Sequence, residues 1–474
     1  MELPPHKTKI VATIGPATES EEVLVRCIAA GMSVARLNFS HGDLAGHAER
    51  IARIRSAQRA AGRRVAIMAD LPGPKMRIGA LASEPIELEA GETFTLTTRA
   101  VAGTGEVVSV GFERLPRVVR PGDRLFLNDG LIQLAVRRVA GEDVECLVET
   151  GGELRSRKGL NLPGIDLGIG AFTDHDRACL EFALAHGVDA VSQSFVETAA
   201  DIEAVRAAAA AAGRRVFVVA KIERSRALAH IDAILAAADG IMVARGDLGV
   251  EVPIEEIAMT QKQLIAKANL AGKPVITATQ MLESMTAQRL PTRAEATDAA
   301  NAILDGTDCL MLSGESAVGK YPVEAVAMLA KIAAATEAGR PLARLAEIRG
   351  RCLDHTPASS AEAIASVVER ALESVPCAAV FVPTRSGATA RMISRFKPPV
   401  WIVALSGDSG VCQGLAFSYG VDPVDLAQEP DSWREFAAPW LAAHGIAGGT
   451  AMLVAGPSAR YPEANHRIEF MRMG

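Results

Sequence analysis

Short apolar runs that end abruptly in polar or charged residues recur along this chain, and a stretch with helical spacing follows each one. The first is Lys9–Thr13, running on through Ile14 to Gly15-Pro16. The second, from Val34 to Asn38, ends in the polar burst Ser40-His41-Gly42, and the third, Val65–Asp70, stops at Leu71-Pro-Gly-Pro. Continuous apolar runs of this length read as strands of a parallel sheet buried on both faces. Ser20 and Asp43 are placed to cap helices reaching Ala30 and about Ala61. From about Gly73 to Asp166 the texture changes to alternation, as in Ile86-Glu-Leu-Glu, Phe94-Thr-Leu-Thr, Arg124-Leu-Phe-Leu and Asp143-Val-Glu-Cys-Leu-Val. Alternation between turn residues predicts a small antiparallel β domain.

After Asp166 the strand–helix rhythm returns. Thr173 starts a helix to about His186, followed by a run from Val188 into Ser192-Gln-Ser194-Phe195. Helices over 198–212 and 226–238 lead to runs ending in Lys221-Ile-Glu223 and in Arg245-Gly-Asp247. Helices over 254–270 and 292–304 precede Pro274–Thr279 and Cys309–Ser313, and a last helix ends near Gly339. Leaving out the inserted stretch, the count is eight strands, each followed by a helix. That predicts an α/β fold, a (β/α)8 (TIM) barrel of residues 1–72 and 167–340 with an inserted small β-barrel lid domain over 73–166. Helix–strand alternation resumes over 357–474, with a helix at 360–374 and strands at 378–383 and 400–405. This predicts a separate C-terminal α/β regulatory domain behind a polar link, 341–356.

Composition supports that division. The 474 residues exceed one ordinary core, and with 49% hydrophobic but only 4% aromatic residues the interior is largely Ala, Val, Ile and Leu. A net charge of −6 argues against nucleic acid as a partner. Seven scattered cysteines without a C-x-x-C pair fit reduced thiols, not a disulfide frame or zinc site. No uncharged apolar run is long enough to span a membrane, and the N-terminus has no apolar signal region, so a cytoplasmic protein is expected.

In such a barrel all strand C-termini face one mouth. The exits would gather Arg36, Asn38, Ser40, Asp70, Ser194, Lys221, Glu223, Asp247, Thr279 and Ser313. Two carboxylates, Glu223 and Asp247, suit a hard divalent cation such as Mg²⁺ (or Mn²⁺), and Lys221 and Arg36 add positive charge. That combination answers the need of phosphoryl transfer, where developing negative charge must be neutralised. A salt bridge closing the sheet's end is the plainer alternative for Lys221, Glu223 and Asp247. Gly314-Glu-Ser-Ala-Val-Gly319-Lys320 nearly spells a P-loop, but Tyr321 stands where the Mg²⁺-binding Ser/Thr is required and Pro322 follows; it reads as a loop and helix start.

Several stretches together resemble the pyruvate kinase family: Arg36-Leu-Asn-Phe-Ser-His41-Gly42, Lys221-Ile-Glu223, Met242–Gly249, Thr277–Ser284, Met311–Glu315, Lys158–Gly164 and Lys9–Pro16. The resemblance implies phosphoryl transfer from phosphoenolpyruvate to ADP, giving pyruvate and ATP. It makes Glu223 and Asp247 the Mg²⁺ ligands, and Lys221 the group serving the phosphoryl in flight and the enolate. Arg36 and Arg77 would hold phosphoryl oxygens, and Thr279, with Ser313, would serve protonation of the enolate. Ser194 and the backbone of Ala244, Arg245, Gly246 and Asp247 would line the substrate. Thr13, Pro16, His41, Lys158 and Asn161 match nucleotide-side positions.

Asn38, Ser40, Asp70 and Leu71 match the family's monovalent-cation position. Members needing K⁺ have Thr-Lys-Gly-Pro-Glu after that Asp, whereas this chain has Leu71-Pro-Gly-Pro-Lys75. The Lys75 ammonium would stand in for the ion, so activity without K⁺ is expected. Thr384-Arg385-Ser386-Gly387 and Thr389 resemble the effector loop for a sugar phosphate or nucleotide, although Gly456–Arg467 departs from the family's pattern. Thr292-Arg293-Ala-Glu295 resembles an inter-subunit segment and implies a homotetramer. Against this stand another phosphoenolpyruvate or keto-acid barrel enzyme, a silent sensor and a P-loop NTPase. The lid and Lys158 loop, the intact Lys221–Glu223–Asp247 set, and Tyr321 disfavour them in turn.

Overall fold

A computed structural model describes residues 2–340, 350, 359–457 and 463–473. Except for Gly350, the link expected over 341–356 lies outside the described residues, as do Cys352 and residues 458–462 of the divergent C-terminal stretch. The eight expected strands form a closed parallel barrel. They are β1 (Lys9–Thr13), β2 (Met32–Asn38), β3 (Ala66–Leu71), β4 (Ala190–Gln193), β5 (Phe217–Ile222), β6 (Gly240–Ala244), β7 (Val275–Ala278) and β8 (Cys309–Leu312).

Local chemistry explains the punctuation. Ser20, Asp43 and Thr173 accept backbone N–H groups at the starts of their helices, and Thr292 forms a full capping box with Glu295. Two expected helices are broken up. Residues 226–238 divide into Ser225–Ala229 and Ile231–Ala237, and 254–270 opens with a 3₁₀ turn at Ile254–Glu256. The near P-loop is a one-turn helix, Gly314–Ala317, before the Pro322–Ala338 helix.

The inserted segment holds a six-stranded sheet and a two-stranded ribbon around their own apolar core. Arg77 bridges Gly159 at one edge of the larger sheet and Ile78 bridges Val110 at the other, so residues 77–78 close it into a small barrel. It is not wholly antiparallel as expected: Thr93–Thr97 and Val107–Ser109 pair in parallel. The intervening chain, 98–106, therefore returns to the start of its neighbour instead of making a hairpin.

The C-terminal sheet runs Val421–Asp425, Trp401–Ser406, Ala379–Pro383, Thr450–Ala455 in parallel, with Arg467–Arg472 antiparallel at the edge. It docks on the N-terminal end of the barrel. Phe417 is fully buried among inward-facing Val11, Val34, Met68 and Met242, and stacks on Phe217 at 5.0 Å. Asp308, just before β8, accepts from the Tyr419 backbone at 2.9 Å and pairs with Lys397 at 2.7 Å. This packing plugs the N-terminal end of the barrel, and the polar strand exits lie at the opposite, C-terminal mouth.

Lys9 crosses the same junction and donates to the Val421 carbonyl at 2.7 Å. Burial, only partly offset by Asp422, lowers its pKa to about 8. The unfolded chain would therefore hold the Lys9 proton between pH 8 and the free-lysine value near 10.4, where the folded chain has released it. Stability should rise with pH across that window by up to about 1.4 kcal/mol per unit. Denaturant titrations at pH 8, 9 and 10 should show this rise in the native chain and a flatter response in Lys9→Met.

Candidate active site

At the open mouth a cavity of about 110 Å³ is walled by Arg36, Asn38, Ser40, His41, Asp70, Lys75, Ser194, Lys221, Glu223, Asp247, Thr279 and Ser313, among others. All ten residues expected at the strand exits are thus brought together. Lys221 and Glu223 flank the end of β5 two residues apart, so both reach the same side. Lys221 is 9% exposed and its ammonium meets Glu223 at 2.8 Å, Asp70 at 3.3 Å and the Ser194 hydroxyl at 2.6 Å. The sequence suggested a lysine between Glu223 and Asp247. Instead the second carboxylate beside it is Asp70, which parallel pairing of β3 and β4 brings alongside Ser192.

Asp70 is fully engaged. Ser192 donates to Oδ1 at 2.7 Å, while the Arg36 guanidinium donates to Oδ2, at 2.8 Å from Nε and through a second short bond from Nη2. Arg36 is further held by Thr13 Oγ1 at 2.8 Å. Burial works against the Asp70 anion, but Lys221 and Arg36 outweigh it and its pKa lies below the usual range. Burial likewise opposes the Lys221 cation, and Asp70 and Glu223 more than compensate, so its pKa is raised.

Glu223 behaves differently. Burial raises its pKa, Lys221 pulls it down and the Asp247 charge pushes it up again. Two carboxylates that repel across a cavity wall fit a hard divalent cation, which would relieve the repulsion and leave positions for substrate oxygens and water. Among the described residues no cluster of three or more His, Cys, Asp or Glu has metal-binding form, so the pair would be the protein's carboxylate contribution.

Asp247 stands in the first turn of the short helix Arg245–Glu251. The Arg245 side chain is engaged by Asp298 at 2.6 Å and the Thr279 carbonyl at 2.7 Å, and Arg245 does not line the cavity, whereas Ala244 and Asp247 do. Thr279 has φ of 69° and its hydroxyl is committed, accepting from Gly246 N–H at 2.8 Å and donating to the Ala278 carbonyl at 2.6 Å.

The remaining expected residues lie around this centre. Thr13 is buried behind Arg36, and Pro16 is exposed on the rim. Arg77 is exposed on the inserted domain, donating to the Arg157 carbonyl at 3.1 Å; Lys158 and Asn161 are half-buried on that domain. None of these five lines the cavity. His41 does, and burial, with Arg77, Lys75 and Arg36 adding to it, lowers its pKa.

In the C-terminal domain Thr384 Oγ1 accepts from Gly387 N–H at 2.9 Å, and Thr384 and Arg385 border a cavity of about 970 Å³ shared with Asp408, Glu429, Asp431 and Trp433. Ser386, Gly387 and Thr389 stand outside its walls.

Glu315 was not singled out from sequence as a functional residue. It is fully buried and accepts from Ser313 N–H at 2.7 Å and Leu282 N–H at 3.0 Å, bracing the ends of β7 and β8. The signal was a carboxylate three residues past the end of an apolar strand with no basic residue beside it.

Comparison with known proteins gives this geometry a family. The barrel domain of pyruvate kinase matches residues 5–326 and its alpha/beta domain matches residues 362–459. The chain belongs to the pyruvate kinase family. The pyruvate kinase of Thermococcus litoralis is 52% identical over 425 residues, covering 89% of each chain. That of Geobacillus stearothermophilus is 45% identical over 420 residues, covering 88% of this chain and 71% of the relative. A crystal structure of a pyruvate kinase from Cryptosporidium parvum superposes with a TM-score of 0.92 at 36% identity, covering 99% of this chain and 97% of that one.

Within this pyruvate kinase fold, replacing Glu315 by Ala orphans two buried backbone N–H groups. Glu315→Ala should lose about 2–4 kcal/mol of stability in denaturant unfolding. A loss under about 0.5 kcal/mol would contradict the bracing role.

Proposed function

We infer that this chain catalyses phosphoryl transfer from phosphoenolpyruvate to ADP, giving pyruvate and ATP at the end of glycolysis, with the barrel mouth as active site. The observation that carries this is the clustered charge at the mouth: Lys221 and Arg36 facing Asp70, Glu223 and Asp247 around one cavity. Glu223 and Asp247 would hold Mg²⁺ or Mn²⁺, which when bound neutralises substrate carboxylate and phosphoryl charge. Lys221 then offers its ammonium to the transferred group and the enolate oxygen, preorganised by Ser194 and the two carboxylates. Arg36, fixed by Asp70 and Thr13, and Arg77 from the inserted domain would bind phosphoryl oxygens from the other side.

The backbone of residues 244–247 would receive the substrate carboxylate. Because the Thr279 hydroxyl already donates to its own carbonyl neighbour, it would orient a water shared with Ser313 that protonates the enolate methylene. Thr13, Pro16, His41, Lys158 and Asn161 would serve the nucleotide side. The three-part division, 73–166 being a lid over the barrel of 1–72 and 167–340 and 357–474 a regulatory domain, belongs to the same reading. So do a cytosolic location, a homotetramer, and a sugar-phosphate or nucleotide effector near Thr384–Thr389.

A K⁺-independent enzyme is favoured by two features. Both Asp70 oxygens are already taken by Arg36, Ser192 and Lys221, and Lys75 brings an ammonium to the same cavity. Pyruvate release from phosphoenolpyruvate with ADP and Mg²⁺ is the decisive assay for the reaction, and absence of turnover overturns it. Replacing K⁺ by tetramethylammonium should leave the rate within about threefold. A drop of about tenfold or more sinks the Lys75 reading alone.

A further inference from the structure

The segment by which the inserted domain rejoins the barrel, residues 162–166, is gripped by the piece of chain that follows Glu223, which in turn meets the helix carrying Asp247. Arg224, directly after Glu223 and 2% exposed, donates to the Leu162 carbonyl at 3.3 Å and the Ile165 carbonyl at 2.9 Å. Arg226 donates to Asp166 at 3.1 Å and to Glu197 at 2.9 Å. Glu251, four residues after Asp247 on the same short helix, faces Arg224 within ion-pair range. Its other partners are the Ser225 backbone N–H at 3.2 Å and hydroxyl at 3.1 Å. The helix approaches the inserted domain at Val250, since a Cβ on Gly130 would lie 3.3 Å from it.

The clasp is incomplete in this arrangement. Arg224 Nε and Glu251 Oε1 face each other at 3.5 Å, within ion-pair range but not aligned as a hydrogen bond, and neither atom has another hydrogen-bond partner among the described residues. A buried guanidinium and carboxylate with one unmade bond between them favour any small shift of the hinge that completes it. Arg224 and Glu251 follow Glu223 and Asp247 on the same two pieces of backbone, so an ion drawing those carboxylates together would move the pair as well.

We propose that Arg224 and Glu251 are positioning residues that couple cation occupancy at Glu223 and Asp247 to the set of the inserted domain over the mouth. This rests on the active-site reading above. The test is hydrogen–deuterium exchange of the full chain with and without Mn²⁺, alongside direct titration of Mn²⁺ binding, for the native protein, Arg224→Lys and Glu251→Gln. Glu251→Gln keeps size and shape, and carries the test should Arg224→Lys fail to fold.

In the native chain Mn²⁺ should slow exchange at 160–167 and 128–131. In the variants that protection should fall at least about fivefold while Mn²⁺ affinity stays within about threefold. Bound Mn²⁺ without native protection, or with protection equal in native and variant chains, overturns the clasp and leaves the cation site standing. Failure of the native chain to bind Mn²⁺ overturns the cation site itself, and the clasp with it.

Discussion

The active mouth depends on keeping one ammonium charged where burial opposes it. Lys221 stays cationic because Asp70 and Glu223 stand within ion-pair distance and Ser194 accepts a third contact. Such an array is poor value as a stabilising device, since desolvating three charges consumes most of the attraction gained. It makes sense as preorganisation: charge aimed at a site before substrate arrives requires no reorientation during the reaction. Arg36, held by Asp70 and Thr13, extends the same logic across the cavity.

The fold serves that array from both ends. Phe417 and the Asp308–Lys397 pair seal the N-terminal end of the barrel against the C-terminal sheet, so the barrel interior is a packed core and not a channel. Glu315 fixes the ends of β7 and β8, while Arg224 and Arg226 fasten the segment by which the inserted domain rejoins the barrel. Residues just beyond the cavity wall therefore hold its shape, and their acidic or basic character follows from the backbone groups they must satisfy.

Much of this was legible in the sequence because apolar runs ending in charge are unambiguous when eight occur in register with helices. Helix starts at Ser20, Asp43, Thr173 and Thr292 were equally plain, since short oxygen-bearing side chains satisfy the first backbone N–H groups. What escaped were partnerships set by lateral strand pairing, which no local pattern encodes. Asp70 was read as one of the residues at the mouth, whereas its pairing with Lys221, set by strand order, was not. The parallel pair Thr93–Thr97 and Val107–Ser109 was missed for the same reason, as alternation reports a half-buried strand and not its neighbour's direction.

The central claim is that the Lys221 ammonium acts on the reacting group and not merely on sheet closure. Steady-state pyruvate formation by Lys221→Met, with folding monitored by thermal unfolding, tests it most directly. The variant's kcat should fall about 1,000-fold or more below the native value while the protein still unfolds cooperatively. A cooperatively folded Lys221→Met turning over within about tenfold of the native rate would contradict it.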